Sequence, residues 1–305
     1  MAESIAHMQK IAMPLLEVQT LHRANGLVRS GLTLSDEAFG ALSSFILEKL
    51  GILYTDRKKY LLEGRLGKRV QALNLESFEE YVHLLKYGKQ REQEFEFLCD
   101  TVTINETYFF RNVPQLESFE RTVVPEFLRN GRQRTIRVWS AASSSGEEAY
   151  SLALVYLEKL KPLYPDLRME VIGTDISSSV LETAEQGLYG KYSLRNLPGF
   201  YLQKYFIPEG DRFRLRPEVR DLARFQNMNL VDRQQIQSMK YFDVIYCSNV
   251  LIYFDQRTKV QVVADLYNSL NYRGYLFIGF SELLHGISSA FKVVSFPQTT
   301  GYRKD

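Results

Sequence analysis

Apolar and polar positions over the C-terminal two thirds of the chain alternate between strand-like and helix-like patterns. Ile136, Val138 and Trp139 have the β-branched and aromatic character of a strand, and residues 140–146 are all small. From Glu147 onward, apolar side chains recur at helical spacing. A strand, a tight turn of small residues and a helix start predict the first βα unit of a nucleotide-binding sheet. Taken alone, a serine-rich turn into a helix is more often a plain helix cap.

Further strand patterns indicate a doubly wound α/β fold. They cover residues 169–175, 223–228, 242–247, 275–280, 291–296 and 300–303. The segment 242–247 is nearly all apolar, as expected of a central parallel strand that is buried on both faces. The last two strands predict a hairpin that adds one antiparallel member. The total is a seven-stranded, mostly parallel sheet.

The α/β rhythm is interrupted by a segment rich in glycine and proline. Residues 212–216 alternate at period two within it, so we expect a small inserted β-subdomain over residues 190–222. Residues 105–305 then form one α/β domain around this insert.

The N-terminal part of the chain predicts only helices. Ser35 can cap a helix that Gly51 ends, and further helices are predicted over 58–73, 78–85 and 90–102. The inward side chains expected of the second helix are Tyr60, Leu61, Leu66, Val70 and Leu73. Residues 33–104 therefore predict a small helical domain with its linker, and residues 1–32 an appendage of open role.

The second of these helices is conspicuously basic. Its cations are opposed only by Glu63, and they are Arg57, Lys58, Lys59, Arg65, Lys68 and Arg69. Such a face is either an ordinary solvated helix surface or a docking surface for an acidic partner. Its position beside a ligand-binding domain favours docking.

Composition narrows the classes of function. A net charge of +2 over 305 residues gives no global argument for nucleic-acid binding. Cys99 and Cys247 stand far apart, which argues against a zinc site or a disulfide framework, and no metal site is predicted. The lack of a long apolar run or signal peptide predicts a cytoplasmic protein without direct membrane insertion.

Two further segments carry candidate chemistry. Asp175 ends the second strand, where doubly wound folds place a carboxylate that accepts hydrogen bonds from ribose hydroxyls, although an acid there also caps helices. Residues 103–112 mix polar and aromatic side chains without a simple period. They predict either a crossover that presents polar groups to a site or a buried linker.

Five motifs in this order resemble the chemotaxis receptor glutamate methyltransferases, the CheR family. They are T-I-N-E-T-Y-F-F-R, V-W-S-A-A-S-S-S-G-E-E-A-Y-S-L-A, G-T-D-I-S, Y-C-S-N-V-L-I-Y-F-D and F-I-G-F-S-E. The resemblance covers residues 34–304 and implies a class I methyltransferase domain. It also implies S-adenosylmethionine as cofactor, S-adenosylhomocysteine as product, and transfer of the methyl group to glutamates in the cytoplasmic coiled-coil region of methyl-accepting chemotaxis receptors.

The resemblance also implies site residues. The cofactor contacts carry over to Asn105, Thr107, Arg111, Glu147, Asp175, Asn229, Leu230, Ser248 and Asn249. Arg111 and Tyr253 are the catalytic candidates. Arg111 is expected to hold either the substrate carboxylate or that of the cofactor, and Tyr253 either to orient the attacking oxygen or to wall the pocket. Glu147 is expected to bind the cofactor's amino group or only to favour the helix dipole.

The chain departs from the family pattern at two places. Ser248 stands where the family usually has an arginine, so a contact there has to come from backbone. The insert has Gly210 alone between Phe206 and Arg212, which predicts independence from a receptor's C-terminal pentapeptide tether. Two alternatives stay open: a related methyltransferase of a pathway outside chemotaxis, and a non-catalytic regulatory module that binds the cofactor.

Overall fold

The computed structural model describes residues 32–129, 131 and 135–305. The predicted appendage over residues 1–32 lies outside these residues, apart from Leu32. The described chain begins with a helical domain, continues into a sheet with helices on both faces, and carries a small second sheet.

The helical domain contains four α-helices. They are α1 (Asp36–Leu50), α2 (Lys59–Ala72), α3 (Phe78–Tyr87) and α4 (Arg91–Val102), with a 3-10 turn over Asp56–Lys58. The predicted boundary signals of α1 are confirmed, because the Ser35 side chain accepts from the Ala38 N–H at 3.0 Å and Gly51 adopts a left-handed φ of 69°. One apolar cluster holds all four helices together.

The inward face of α2 differs from the sequence prediction. Leu62, Leu66 and Val70 are buried at a spacing of four residues, whereas Tyr60 is 69% exposed. The buried row of α2 therefore begins at Leu62, and Tyr60 lies outside it.

The helix before the sheet consists of three parts. It runs through α5 (Val113–Ser118), a π-helical turn over Phe119–Val123 and α6 (Val124–Arg129). Pro114 is tolerated in the first turn of α5, because no backbone N–H is needed there.

The predicted seven-stranded sheet is confirmed, with the order β6-β2-β1-β7-β8-β10-β9. Its strands are β1 (Thr135–Ala141), β2 (Arg168–Asp175), β6 (Ala223–Asn227), β7 (Phe242–Cys247), β8 (Leu270–Ile278), β9 (Phe291–Phe296) and β10 (Thr299–Lys304). The first five are parallel, and β10 pairs antiparallel with both β8 and β9. All six residues of β7 are buried, as a central strand requires.

Helices cover this sheet on both faces. They are α7 (Glu147–Val155), which continues as a π-helical turn over Tyr156–Leu160, α8 (Ser178–Gln186), α11 (Arg233–Gln237) and α12 (Gln256–Ser269). Two apolar clusters lie on opposite sides of the sheet, because alternate side chains of β1 and β7 point in opposite directions.

The predicted inserted β-subdomain contains more than a single β-hairpin. Its three-stranded antiparallel sheet has the order β3-β5-β4, with β3 (Leu188–Tyr189), β4 (Phe206–Glu209) and β5 (Arg212–Leu215). Two short helices accompany it, α9 (Gly199–Tyr205) and α10 (Pro217–Arg220). The strand β3 begins before residue 190, and a two-residue strand is too short to show an alternating pattern in sequence.

The helical domain is fixed against the carboxyl edge of the large sheet by backbone hydrogen bonds. The Leu53 N–H donates to the Tyr253 carbonyl at 2.9 Å, and Ile52 forms an isolated bridge with Phe254. The Asn229 amide donates to the Lys49 carbonyl at 2.8 Å. The loops that follow β6 and β7 therefore face the helical domain.

Candidate functional site

A cavity of about 270 Å³ lies where the helical domain meets the carboxyl edges of β1, β2 and β7. Both domains line it, through α2 and the segment after α4 on one side and the loops after the three strands on the other. This edge of a doubly wound sheet is where such folds bind ligands.

The turn after β1 requires its small residues. Gly146 has a φ of 90°, and a Cβ atom there would stand 2.9 Å from both the Ala184 Cβ and the Phe225 ring. Ala142 and Ser144 also adopt positive φ, at 61° and 50°. The turn therefore folds back tightly, so that Ala142, Ser143 and Ser144 line the cavity.

Asp175 both braces this turn and lines the cavity. Its Oδ2 accepts from the Ser144 N–H at 2.9 Å, and its Oδ1 accepts from the Ser177 N–H at 3.0 Å. Burial raises the pKa of Asp175, and these backbone N–H groups act in the opposite direction. Each carboxylate oxygen has a second lone pair, so these backbone bonds and a ligand contact are compatible.

The structure contradicts the predicted position of Glu147. Its side chain is 1% exposed, accepts from the Ser145 hydroxyl at 2.7 Å and does not line the cavity. Glu148 lines the cavity instead, and its Oε1 accepts from the Ser140 hydroxyl at 2.8 Å. Burial raises the pKa of Glu148, while the hydroxyls of Ser140 and Ser248 lower it. Consecutive residues of a helix point about 100° apart, so only one of the two acids faces the cavity.

The polar and aromatic segment after α4 forms a crossover over the cavity. Phe109 and Phe110 are buried in the core of the sheet domain. The Asn105 carbonyl accepts from the Ser144 hydroxyl at 3.1 Å, which ties the segment to the turn after β1. Asn105, Thr107 and Arg111 all line the cavity, so the crossover interpretation fits better than a buried linker.

Arg111 lines the cavity together with Glu148 and Tyr253. Its Nη1 donates to the Glu106 carbonyl at 2.6 Å, which fixes the guanidinium. The charge of Arg111 lowers the pKa values of both Glu148 and Tyr253, so it acts on both side chains. Burial is the larger effect on Tyr253 and raises its pKa, which keeps the phenol protonated.

Sequence reasoning missed Glu282, the residue that organises the loop after β7. Its buried carboxylate accepts three backbone N–H groups, from Gly279 at 2.7 Å, Asn249 at 2.8 Å and Ile252 at 3.1 Å. These bonds hold Asn249 at a φ of 61° and anchor the 3-10 turn that ends at Tyr253. Glu282 is the last residue of the F-I-G-F-S-E motif, and its place in that motif was the sequence signal that could have identified it.

The remaining predicted cofactor contacts also come together at the cavity. Asn229, Leu230, Ser248 and Asn249 line it along the loops after β6 and β7. Asn229 is held in place by two hydrogen bonds. Its side-chain amide donates to the Lys49 carbonyl, and its backbone N–H donates to the Gln235 side chain at 2.9 Å. Their roles as ligand contacts stay predictions.

Polar atoms without partners show that the cavity suits a polar ligand. The buried Gln115 Oε1, Ser143 Oγ and Tyr246 hydroxyl have no hydrogen-bond partner in the described part of the chain, and all three residues line this cavity. Buried polar groups normally have partners, so these atoms favour a ligand that supplies hydrogen bonds. Together with the carboxylates of Glu148 and Asp175, they fit the amino acid and ribose groups of S-adenosylmethionine.

Only three of the six cations predicted to form the docking face of α2 are exposed. Arg69 pairs with the buried Glu94, to which its Nη2 donates at 2.6 Å, and the Tyr81 hydroxyl donates to the same carboxylate. Lys59 pairs with Asp36 at 2.6 Å. Arg65 donates to the Val102 carbonyl at 2.9 Å and lines the cavity, as does Lys58. This leaves Arg57, Lys58 and Lys68 as the exposed cations.

The described residues offer neither a metal-binding cluster nor a membrane-spanning helix. Residues 32–129, 131 and 135–305 contain no group of three or more histidine, cysteine, aspartate or glutamate side chains that could hold a metal ion. Over the same part of the chain, every helix is too short or too polar to cross a bilayer.

Comparisons with known proteins agree with this geometry. Residues 37–103 match the family model described as "CheR methyltransferase, all-alpha domain", and residues 105–300 match "CheR methyltransferase, SAM binding domain". The chain is 36% identical over 274 residues to "Chemotaxis protein methyltransferase 2" of Vibrio cholerae, which covers 90% of this chain and 94% of the relative. It is 34% identical to "Chemotaxis protein methyltransferase Cher2" of Pseudomonas putida over 82% of this chain and 91% of the relative.

Solved structures are more distant. A magnesium protoporphyrin IX methyltransferase of Synechocystis with bound SAM covers 73% of this chain and 94% of its own, at 14% identity and a TM-score of 0.33. That score is too low to support any inference about the site.

Proposed function

This chain belongs to the CheR methyltransferase family and uses S-adenosylmethionine, and we propose that it methylates glutamate side chains of methyl-accepting chemotaxis receptors. The product on the receptor would be a glutamyl methyl ester formed during adaptation. The observation that carries the proposal is the single cavity that joins Glu148, Asp175, Arg111 and Tyr253 beneath a helical domain with exposed cations.

The protein's own residues account for cofactor binding. Glu148 would pair with the cofactor's ammonium group, and Asp175 would accept from the ribose hydroxyls. Asn105, Thr107, Asn229, Leu230, Ser248 and Asn249 would complete the wall, with Ser248 contributing backbone. When bound, S-adenosylmethionine supplies an electrophilic methyl group and leaves as S-adenosylhomocysteine.

A receptor glutamate needs no general base. Its carboxyl group has an ordinary pKa of about 4.3 and is already ionised at neutral pH. The work left to the protein is to orient one carboxylate oxygen and to remove water from it. Tyr253, whose phenol stays protonated, can donate to that oxygen, and Arg111 can hold the carboxylate of either substrate through its planar guanidinium.

The helical domain supplies the proposed docking side. Residues 33–104 carry the exposed cations Arg57, Lys58 and Lys68, and Lys58 and Arg65 line the cavity. Acidic helices in the cytoplasmic coiled-coil region of a receptor would be attracted there. The protein would therefore work in the cytoplasm.

We also propose that docking does not depend on a C-terminal receptor pentapeptide. The turn between β4 and β5 consists of Gly210 and Asp211 alone, with Gly210 at a φ of 64°. It lacks the longer glycine-rich loop of tethered relatives. Calorimetry with the isolated pentapeptide is expected to show no binding, and measurable affinity would overturn this part of the proposal.

The test of the activity is methyl transfer to a receptor fragment. Wild-type protein, S-adenosylmethionine labelled in its methyl group and a soluble cytoplasmic fragment of a methyl-accepting receptor should give label that mild alkali releases from the fragment. Label that resists alkali would identify a different acceptor atom. Binding of S-adenosylhomocysteine without any transfer would favour a non-catalytic module.

A further inference from the structure

Four exposed apolar side chains, which we call the strip, lie on segments that border the cavity or the groove next to it. Phe280 is 89% exposed, Leu283 68%, Ile252 48% and Leu53 41%. Single exposed apolar residues are ordinary on protein surfaces, but a connected group beside a reaction site is not.

Hydrogen bonds join the three segments that carry these four residues. Leu53 donates its N–H to the carbonyl of Tyr253, next in the chain to Ile252. The Ile252 N–H in turn donates to the Glu282 carboxylate, and Glu282 lies between Phe280 and Leu283 in the loop after β8. The strip therefore passes from the helical domain to the sheet domain across Tyr253.

The loop that carries Phe280 and Leu283 is held rigidly. The Glu282 carboxylate binds three backbone N–H groups, which fixes the loop to the segment after β7. Phe280 also borders a shallow groove lined by Arg111 and Asn249, which both line the main cavity as well. A rigid apolar surface loses little entropy when a partner covers it.

Charge identifies the kind of partner that fits. Lys58 and Arg65 line the same cavity as Leu53 and Ile252, and Arg57 is exposed beside Lys58. A partner that covers the strip thus meets apolar side chains and cations together. An acidic amphipathic helix provides both, since residues three or four apart lie on one helix face.

We propose that Leu53, Ile252, Phe280 and Leu283 form a docking strip for the acidic helix that carries the acceptor glutamate. Apolar side chains of that helix, one turn away from the acceptor, would pack on the strip while the acceptor enters beside Tyr253. This inference rests on the proposed function, because it names how the same substrate is recognised.

The test compares two matched double variants in the full chain. One is Phe280→Ala with Leu283→Ala, and the control is Tyr272→Ala with Leu163→Ala, whose side chains are 68% and 69% exposed and line neither the cavity nor the groove. Affinity for a receptor fragment is measured by calorimetry with S-adenosylhomocysteine present, and KM is measured by methyl transfer. The strip variant should weaken fragment affinity and raise KM by about tenfold or more, while its affinity for S-adenosylhomocysteine stays unchanged. In the control variant, fragment affinity and KM should both equal those of wild type.

A matching change in the receptor fragment sharpens the result. In the fragment, an apolar residue three or four positions from the acceptor is replaced by serine. This change should reduce fragment affinity less for the strip variant than for wild type, because the shared contact is already lost. Equal fragment affinity in the strip variant and wild type would overturn the strip while methyl transfer still supported the function. Fragment binding that depended on the strip without any methyl transfer would support the strip and refute the function. A dimer that the strip variant converts to monomer, with unchanged KM, would show that a second copy covers the strip and would overturn the proposal.

Discussion

The most informative perturbation compares two adjacent glutamates at the start of α7. Glu148 lines the cavity and Glu147 does not, although both are acids at the same helix end. Glu148→Gln keeps the size of the side chain and removes its charge. A hydrogen bond to a charged group contributes about 1.5–3 kcal/mol, so the dissociation constant of S-adenosylhomocysteine should rise by about ten- to a hundredfold.

Titration calorimetry gives a second signature through pH. Burial raises the pKa of Glu148 above its ordinary value of 4.5, so its carboxylate is lost at a higher pH than that of an exposed glutamate. Wild-type affinity should therefore fall as the pH is lowered through this raised pKa. The profile of Glu148→Gln should be flatter, because the substituted side chain does not titrate.

Glu147→Gln is the matched control. It should change the affinity for S-adenosylhomocysteine by less than about twofold, because Glu147 bonds to Ser145 away from the cavity. Burial also raises the pKa of Glu147, so its native form retains a proton that the unfolded chain releases. Wild-type stability is then lost as the pH rises through the raised pKa, and the variant should lose less over that range in urea unfolding. Equal loss of affinity in both variants, or a loss confined to Glu147→Gln, would refute the assignment of Glu148.

Three further variants test other parts of the site. Arg69→Ala should lower the free energy of unfolding by about 3 kcal/mol, because it leaves the buried Glu94 carboxylate without its cation, whereas Lys68→Ala should leave unfolding unchanged and raise the KM for a receptor fragment. Glu282→Gln should lower the free energy of unfolding in urea by about 1–3 kcal/mol and slow methyl transfer, because backbone N–H groups in the segment that carries Tyr253 lose an acceptor. Tyr253→Phe should lower kcat by about tenfold with unchanged S-adenosylhomocysteine affinity, and an unchanged kcat would mean that the ring only walls the pocket.

The fold was predictable wherever burial leaves a clear period in the sequence. Five of the six residues of β7 are apolar, which indicated a central strand, and Ser35 and Gly51 marked the ends of α1 correctly. The short strand β3 and the phase of α2 were not predictable. The first is too short to have a period, and the second depends on packing against the other helices of the domain.

The sequence predicted which segments form the site, but not always which side chain of a segment faces the cavity. The segments that contribute Asn105, Asp175 and Asn249 do meet at one cavity. Which of two adjacent glutamates faces that cavity depends on helix rotation, and the rotation is set by packing of the whole helix. The partners of Arg69 and Glu282 lie far away in sequence or on the backbone, where a single sequence gives no signal.

Methyl transfer to a receptor fragment tests the central claim most directly. Wild-type protein with methyl-labelled S-adenosylmethionine should label glutamates of the fragment, and mild alkali should release that label as methanol. Glu148→Gln should label the fragment more slowly at limiting cofactor, and Glu147→Gln at the wild-type rate. An unlabelled fragment, or label that survives alkali, would contradict the account.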